Sequence, residues 1–443
     1  MALLFRAIGW FGLYVFLVLL PLATALVVPA IAPGGSPSLA WSFGVACGYI
    51  ALAMLVLEFA LVTRLRSVAQ PFGIDALQLF HRRLGFVATG FVLAHVLVLL
   101  GAGVGLRALD PLGGPPAMRG GALALWCLVA LVGTSLWRRQ LRLSYEAWQF
   151  VHRWLALVLV GGALWHVHAV EGAAAAPALT LLWLAYALIV VALMLNYRFL
   201  QPLRQWRRPW QVIDNRVERA DTRTLVVEPL GHAGFDFEPG QFAWMLTGRT
   251  PFHAQEHPIT ISGSAERDAR GRLEFTIKAL GDWSGEVVPA ITPGQRLWLD
   301  GPHGVFTPER VPALGLVLIA GGVGITPMRA ILLTMRDRGD RRPVLLLHAA
   351  SSWERLTFRE ELEALTREIA LTHVPVLEDP PPGWTGERGW IDRALLERHL
   401  PAQRAHWQCF VCGPPAMLDA MERLLPAAGM PADRVHTERF AMV

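Results

Sequence analysis

Six long apolar stretches in the first 200 residues constrain this chain more than any other feature of its sequence. Each is about long enough to cross a hydrocarbon core, which is about 30 Å thick and needs about 20 helical residues. Because a backbone in lipid has to satisfy its own hydrogen bonds, all six are predicted to be transmembrane helices. A chain that is 53% hydrophobic is neither disordered nor fully soluble. The predicted spans are 8–30, 41–63, 76–105, 121–138, 147–170 and 177–199.

Charge is divided unequally between the two halves of the chain. Residues 1–200 carry 12 arginines and 5 acidic residues, a net +7, whereas residues 201–443 carry 28 basic and 30 acidic residues, a net −2. The arginines cluster after the second, fourth and sixth apolar stretches, including Arg64 and Arg66, as in cytoplasmic loops. A nucleic-acid-binding face would need them on one surface. Both termini are therefore predicted to be cytoplasmic, and the long first stretch favours a retained anchor over a cleaved signal.

Histidine spacing is the strongest chemical signal in the apolar half. His81 and His95 lie in the third stretch, and His152 and His166 lie in the fifth, 14 residues apart in each case. Fourteen residues fall about 40° short of four helical turns, so each pair shares one helix face, with about 21 Å between its members. Two such helices side by side present two opposed imidazole pairs at two depths. We therefore predict two bis-histidine haems, one held by His81 and His152 and the other by His95 and His166.

Residues around these histidines agree with that prediction. The haem propionates need cations, and the arginines beside the first pair are Arg82, Arg83 and Arg153. Glycines give a porphyrin room beside the backbone, and those between the ligands are Gly85, Gly90, Gly161 and Gly162. The sequence has no CxxCH motif, so attachment is expected to be non-covalent. The alternative reading of membrane histidines is a hydrogen-bonded core or a proton relay. Glu58 is expected either to snorkel or to be hydrogen-bonded.

The second half of the chain has the pattern of two soluble domains. Short strand-like runs separated by turn residues occupy about 211–305, which predicts a small antiparallel β-barrel. From about residue 314, apolar strands alternate with helices, which predicts a parallel, doubly wound α/β sheet. The fold class is therefore multi-domain. We expect a six-helix haem bundle at 1–205, a barrel at 206–310 and a nucleotide-binding α/β domain at 311–443.

Three motifs in this half indicate its chemistry. The first is His257-Pro258-Ile259-Thr260, which follows EPGQF and precedes Lys278-Ala-Leu-Gly281-Asp-Trp-Ser284. The second, Gly321-Gly322-Val-Gly324-Ile-Thr326-Pro327, follows an apolar strand, and its glycines let the backbone approach a pyrophosphate at a helix start. The third is Cys412-Gly413-Pro414 after the strand WQCFV. Cys409 and Cys412 form a CxxC without a second ligand pair, so zinc is not expected.

With these motifs the C-terminal half resembles the ferredoxin–NADP reductase superfamily. The resemblance implies that the His257–Thr260 segment lines the flavin ring and that Gly281 and Ser284, with Lys278 nearby, bind the flavin pyrophosphate. It implies that the Cys412 turn lies at the nicotinamide ring. Related reductases place a near-terminal aromatic over the flavin, and the matching residues of the HTERFAMV terminus are Glu438 and Phe440.

With the paired histidines included, nearly the whole chain resembles the ferric reductase-like transmembrane family, which includes the NADPH oxidases. The resemblance implies FAD, two b-type haems and NAD(P)H as cofactors, and ferric iron or dioxygen as the acceptor outside the cytoplasm. Two departures are Ile259, where the family often has an aromatic residue, and Leu99, where animal NADPH oxidases have another histidine. The second puts an animal-type oxygen-reducing centre in doubt. Alternatives are an electron-delivery module for a periplasmic partner and a channel or transporter that senses nucleotide.

The choice of nucleotide depends on the loop after the second strand of the nucleotide-binding domain. NADPH needs cations or hydroxyls there for its 2′-phosphate. Ser351, Ser352 and Arg355 follow PVLLLHAA and favour NADPH, although Glu354 is close. The arginine-rich composition and the absence of long insertions favour a bacterial inner membrane.

Overall fold

The computed structural model describes residues 2–27, 38–63, 72–171, 177–252, 255–266, 268, 270–310 and 312–439. The chain divides after Arg198 into two compact units. Arg64, Arg66 and Phe440 lie outside the described residues, as do residues 28–37 and 172–176 of the connections between apolar stretches.

The first unit is a bundle of helices, and six of the described helices are long and apolar enough to cross a membrane. This confirms the prediction of six apolar helices. Large apolar side chains such as Phe11, Leu97 and Leu181 are exposed on the bundle surface, as expected for helices that face lipid. The helices are α1 (Ala2–Val27), α2 (Leu39–Val62), α3 (Ile74–Gly101), α4 (Pro116–Leu136), α5 (Tyr145–Glu171) and α6 (Pro177–Leu195).

Small residues let the helices of the bundle approach closely. In α2, Ala51 and Ala53 are buried, and Ala53 belongs to the apolar core of the bundle. An added Cβ at Gly162 of α5 would lie 2.8 Å from the Gly120 carbonyl oxygen of α4. Gly162 therefore serves helix packing. The prediction that it leaves room for a porphyrin is wrong.

The second unit begins after α6, where a helical turn at Asn196–Leu200 leads into α7 (Gln201–Trp206). Its first sheet is antiparallel, with strand order β4-β3-β6-β1-β2-β5. A bridge between Ile261, just after β4, and Phe275 of β5 links the two edges of this sheet. The strands are β1 (Trp210–Val217), β2 (Thr222–Pro229), β3 (Phe242–Leu246), β4 (Glu256–Thr260), β5 (Leu273–Lys278) and β6 (Arg296–His303).

The second sheet is parallel, with strand order β10-β9-β8-β7-β11-β12. Its central strands are almost entirely buried and read as continuous apolar runs, as expected for a sheet covered on both faces. The strands are β7 (Leu316–Gly321), β8 (Val344–Ser352), β9 (Leu371–Asp379), β10 (Glu387–Arg388), β11 (Gln408–Cys412) and β12 (Val435–Glu438).

Helices cover the two faces of the parallel sheet. On one face, α8 (Ile325–Arg338) and α9 (Arg359–Glu368) contribute to one apolar core. On the other, α10 (Arg393–His399) and α11 (Pro415–Ala427) contribute to a second. The strand order reverses between β7 and β11, and such a reversal opens a crevice at the carboxyl ends of the strands, where ligands bind in α/β folds.

Candidate functional site

The bundle brings the four predicted histidines together in two pairs. The ring centres of His81 on α3 and His152 on α5 lie 6.3 Å apart, and those of His95 and His166 lie 6.5 Å apart. In both pairs the rings are tilted steeply against each other. A metal–nitrogen bond of about 2 Å on each side of one ion, plus the two ring radii, places imidazole centres about 6 Å apart. Each pair therefore has the spacing of two ligands that bind one metal ion from opposite sides.

Hydrogen bonds orient the rings of the His95–His166 pair. The Nδ1 of His95 lies 2.8 Å from the Gly44 carbonyl oxygen, and the Nδ1 of His166 lies 3.0 Å from the Ala117 carbonyl oxygen. A carbonyl can only accept, so Nδ1 carries the hydrogen in both rings and the lone pair is on Nε2. Histidines that bind a metal through one ring nitrogen usually donate the hydrogen of the other nitrogen to such an acceptor.

The partners of the His81–His152 pair are side chains. The Nδ1 of His81 contacts the buried carboxylate of Glu58 on α2. The Nδ1 of His152 lies 3.4 Å from the Ser135 hydroxyl, which also accepts a hydrogen bond from the Trp148 indole. Of the two expectations for Glu58, the structure therefore supports a hydrogen bond and not snorkelling.

Glycines on both sides of the histidines have distinct environments. At Gly85, Gly90 and Gly161, an added Cβ would meet no heavy atom of the described residues within 4 Å, so these positions border open space. At Gly48 an added Cβ would lie 2.7 Å from the His95 ring, and at Gly121 it would lie 2.9 Å from the His166 ring. The last two glycines therefore allow α2 and α4 to pack directly onto the imidazoles.

Three arginines lie beside one of the two histidine pairs. Arg82 and Arg83 follow His81 and are exposed, and Arg153 follows His152 and is half-buried. The structure thus places these predicted propionate-binding residues beside the His81–His152 pair.

In the antiparallel sheet, the His257–Thr260 motif forms strand β4. The His257 ring stacks on Trp283, with 3.8 Å between the ring centres, so this motif contacts the Gly281–Ser284 segment. Ile259 packs against the core of the sheet, and Pro258 pairs with Trp244 of β3. The Thr260 hydroxyl is buried and has no hydrogen-bond partner among the described residues. A buried hydroxyl of this kind calls for a partner such as a bound ligand or an ordered water.

The Gly281–Ser284 segment is a tight turn that begins a short helical stretch. The Ser284 hydroxyl accepts hydrogen bonds from the backbone N–H of Leu280 and of Gly281, at 2.9 and 3.0 Å. Lys278 lies at the end of β5, and its Nζ is 3.9 Å from the position that a Cβ on Gly322 would occupy. The first and second motifs therefore meet at the lysine.

The second and third motifs meet at the carboxyl ends of β7 and β11, where Ala320 is paired with Cys412. An added Cβ on Gly324 would lie 2.1 Å from the Cys412 carbonyl oxygen, and one on Gly321 would lie 3.0 Å from Pro414. Only glycine fits at Gly324. Gly413 also lies against this turn, because a Cβ there would be 3.3 Å from Gly321.

Side chains at this crevice are mostly buried. Thr326 donates a hydrogen bond of 2.9 Å to the Val323 carbonyl and, with Pro327, begins α8 inside the core. The Cys412 side chain is fully buried between the sheet and α8, so its backbone, and not its thiol, faces the glycine turn. Glu438 on β12 is the neighbour of Cys412 in the sheet and is also buried.

Two family models match the chain. Residues 47–163 match the ferric reductase like transmembrane component, and residues 318–423 match the oxidoreductase NAD-binding domain. The chain thus carries a region similar to a ferric reductase-like transmembrane component and, after it, a region similar to an oxidoreductase NAD-binding domain. The expected resemblance is thereby confirmed for both halves.

Curated relatives and solved structures are similar to part of the chain. The reductase component of propane 2-monooxygenase from Rhodococcus jostii is 31% identical over 52% of this chain and 64% of the relative. An NADPH oxidoreductase from Mycobacterium tuberculosis is 31% identical over 52% of this chain and 60% of the relative. The chain thus spans less than two thirds of these relatives. The match with the solved structure of the cytochrome P450 reductase GcoB from Amycolatopsis covers 53% of this chain and 69% of that reductase, with 25% identity and a TM-score of 0.46.

The predicted nucleotide-selecting residues lie at the carboxyl end of β8, where Ser351 and Ser352 are the last two residues of the strand and not part of a loop, and Arg355 ends the helical turn that follows. Ser351 is exposed, and Ser352 donates a hydrogen bond of 2.8 Å to Glu354. Arg355 forms an ion pair of 3.0 Å with Asp221, which lies in the turn between β1 and β2 of the antiparallel sheet. The arginine thus bridges the two sheets of this unit.

Sequence reasoning missed Arg329 on α8, which is buried and links both sheets. Its guanidinium donates to Glu361 of α9 at 2.6 and 2.9 Å, to Glu274 of β5 at 2.7 Å and to the Ser262 carbonyl at 3.0 Å. Burial lowers the pKa of Arg329, but the two carboxylates raise it above its ordinary value. For Glu274 the directions are reversed. Burial raises the pKa of this carboxyl, but the neighbouring arginines hold it below its ordinary value. The sequence does carry a signal that Arg329 is buried, because this arginine stands four residues after Ile325 and so lies on the apolar face of α8.

Proposed function

We propose that the protein is a transmembrane flavocytochrome that carries electrons from cytoplasmic NAD(P)H through FAD and two b-type haems to an acceptor on the outer side. The acceptor class is ferric iron or dioxygen. The observation that carries this proposal is the presence of two opposed histidine pairs, each spaced to bind one metal ion, in a bundle whose residues 47–163 match the ferric reductase like transmembrane component. The proposed location is a bacterial inner membrane with both termini in the cytoplasm.

The bundle residues fit two haems. His81 with His152 and His95 with His166 would each hold one haem iron, and their Nδ1 atoms already have partners, which leaves the Nε2 atoms for the metal. The open space at Gly85, Gly90 and Gly161 is available to a porphyrin. Arg82 and Arg153 are the proposed propionate-binding residues at one end.

The second unit, which begins after Arg198 and is called the soluble unit from here on, fits a flavin and a nicotinamide nucleotide. We assign the antiparallel sheet with its edge-linking bridge, within residues 206–310, as an FAD-binding barrel, and residues 311–443 as the NAD(P)-binding domain. The unsatisfied Thr260 hydroxyl supports flavin binding at β4, with His257, Pro258 and Ile259 on the same strand. Lys278 supplies an ammonium for a pyrophosphate, and Gly281 and Ser284 shape the turn that would border it.

The nucleotide-binding crevice is assigned to the carboxyl ends of β7 and β11. Gly321, Gly322 and Gly324 allow close approach of the backbone to the dinucleotide pyrophosphate, and Thr326 and Pro327 begin the helix behind it. Gly413 and Pro414 border the same crevice, next to Cys412 and Glu438. We place the nicotinamide there, with Phe440 as the aromatic residue that shields the flavin. Ser351 and Arg355 are the proposed contacts for a 2′-phosphate, which favours NADPH.

The number of electrons that each reactant carries sets the stoichiometry of the proposed reaction. NAD(P)H releases a hydride, which carries two electrons, and bound FAD supplies the conversion of that pair into the single electrons that haem accepts. One NAD(P)H therefore reduces two ferric ions to ferrous ions, with one proton released on the cytoplasmic side. An inside-negative membrane potential favours outward transfer by about 2.3 kcal/mol per charge per 100 mV.

The order of the helices gives the path a direction. His152 lies near the start of α5 and His166 near its end. Only five residues separate the end of α5 at Glu171 from the start of α6 at Pro177, so α6 has to run antiparallel to α5 and ends at the level at which α5 begins. The chain therefore leaves the bundle at the His81–His152 end. In the proposed path this pair receives electrons first and the His95–His166 pair delivers them.

The second candidate function is an electron-delivery module for a separate periplasmic redox partner. In the connection between α3 and α4, Asp110 accepts hydrogen bonds of 2.9 Å from the backbone N–H of Leu112 and Gly113. This carboxylate is thus used locally to fold the loop. Reduction of a free ferric chelate by the purified protein, at a rate that accounts for NAD(P)H consumption, would exclude this alternative.

The proposal is tested by haem stoichiometry. The protein is purified in detergent, and its haem is measured as the pyridine haemochrome. We expect two haems per chain in the wild type and a loss of one in either His81→Ala or His166→Ala. The matched control is His168→Ala, an exposed histidine of α5 only two residues from His166, which should retain both. A wild type without a haem spectrum would contradict the proposal and favour a channel or transporter.

A further inference from the structure

The two histidine pairs differ in the charge of the groups that bind their Nδ1 atoms. His95 and His166 contact uncharged backbone carbonyls. His152 lies beside the neutral hydroxyl of Ser135. Among the four histidines, only His81 contacts a carboxylate. This carboxylate belongs to Glu58, which is only 7% exposed.

This contact has a chemical consequence for a metal ligand. With iron on Nε2, Nδ1 keeps its hydrogen, so its partner has to be an acceptor. A carboxylate that accepts this hydrogen raises the basicity of the ligand more than an uncharged carbonyl does. A more basic ligand beside a negative charge stabilises ferric over ferrous iron and lowers the reduction potential.

We propose that Glu58 is a positioning residue that makes the two haems unequal, by lowering the reduction potential of the haem held by His81 and His152. This inference rests on the proposed haem ligation. Because the chain leaves the bundle at the His81–His152 end, electrons enter at the centre of lower potential. Their transfer to the His95–His166 centre is then downhill, and Glu58 sets the direction of flow within the membrane.

The test is a spectroelectrochemical titration of the haem bands in the full-length protein. The wild type should show two one-electron components. In Glu58→Gln, which keeps the shape and removes the charge, the lower component should move upward and the upper component should stay in place. We expect about a tenfold change in the ferrous-to-ferric ratio at a fixed potential, which is about 59 mV for a one-electron couple.

Two further variants make the result specific. Ser135→Ala removes the neutral partner of His152 in the same pair and should shift the lower component by clearly less. Glu58→Asp keeps the charge on a shorter side chain and should give a smaller upward shift than Glu58→Gln. If Glu58→Gln does not retain both haems, the shift measured in Glu58→Asp alone decides whether Glu58 lowers the reduction potential.

Failure of the inference is distinguishable from failure of the proposed function. Two haems in the wild type, with an unchanged lower component in the haem-replete Glu58 variants or an equal shift in Ser135→Ala, would overturn the role of Glu58 only. A wild type without two haem components would overturn the haem ligation itself.

Discussion

Arg329→Met should destabilise the soluble unit by about 3 kcal/mol, the low end of the cost of breaking a buried ion pair. The wild-type guanidinium is 8% exposed and binds two carboxylates, those of Glu274 and Glu361. Methionine fills a similar volume but leaves both carboxylates close together without their cation. The estimate takes the low end because those carboxylates are 27% and 32% exposed and so keep some water.

The assay is urea unfolding of the full-length protein in detergent, followed by pulse proteolysis of the soluble unit. The matched control is Arg338→Met on the same helix. Arg338 also binds two carboxylates, each at 2.5 Å, but is 39% exposed, so its loss should cost under about 1 kcal/mol. Equal effects of the two substitutions would refute the reasoning.

Two additional results would check that charge is the cause. Replacing Glu274 and Glu361 by glutamine in the Arg329→Met background should restore part of the stability. Because the pKa of Glu274 is lowered in the folded state, its contribution is present above its unfolded pKa and is lost as pH falls toward the folded value. The difference between wild type and Arg329→Met should therefore narrow below about pH 4.5. A difference that is independent of pH would point to packing instead.

Three other predictions concern the soluble unit. Gly324→Ala should abolish NAD(P)H-dependent flavin reduction in stopped-flow experiments while leaving the haem spectrum intact, whereas Gly285→Ala, whose added Cβ meets no described atom within 4 Å, should be nearly neutral. Burial lowers the pKa of His348 to about 3 and that of His373 to about 4, so both stabilise the fold above their unfolded pKa. The unfolding free energy should fall below about pH 6.5, by up to about 1.4 kcal/mol per pH unit and histidine, and replacing both by leucine should flatten that dependence. Asp221→Asn should raise kcat/KM for NADPH over NADH several-fold, because it releases an arginine for the 2′-phosphate; an unchanged ratio would show that this arginine does not select the nucleotide.

Much of the architecture was predictable because rigid periodic elements carry it. A helix turns by a fixed angle per residue, so the 14-residue spacing was sufficient to predict that His81 and His152 pair at one level and His95 and His166 at another. The buried parallel strands were visible as continuous apolar runs. The glycine motif was predicted to lie between strand β7 and helix α8, which is where the structure has it.

Features that depend on lateral neighbours could not be predicted from the sequence. The contact of Glu58 with His81 requires α2 to lie beside α3, and no periodicity of α2 shows which helix it faces. The close approach of α4 to α5 likewise became visible only as the contact of Gly120 with Gly162. Strand β12 has only four residues and no alternation of polar and apolar side chains, so the sequence does not predict it as a strand.

The central claim is that electrons from NAD(P)H reach both haems through the flavin. It is tested most directly by anaerobic stopped-flow spectroscopy of the FAD-loaded protein mixed with NADPH or NADH, before ferric chelate or air is admitted. We predict that the flavin is reduced before the haem bands, that the acceptor then reoxidises them, and that His95→Ala stops delivery while the His81–His152 haem is still reduced. Haem that stays oxidised beside a reduced flavin, or full acceptor reduction in His95→Ala, would contradict the account.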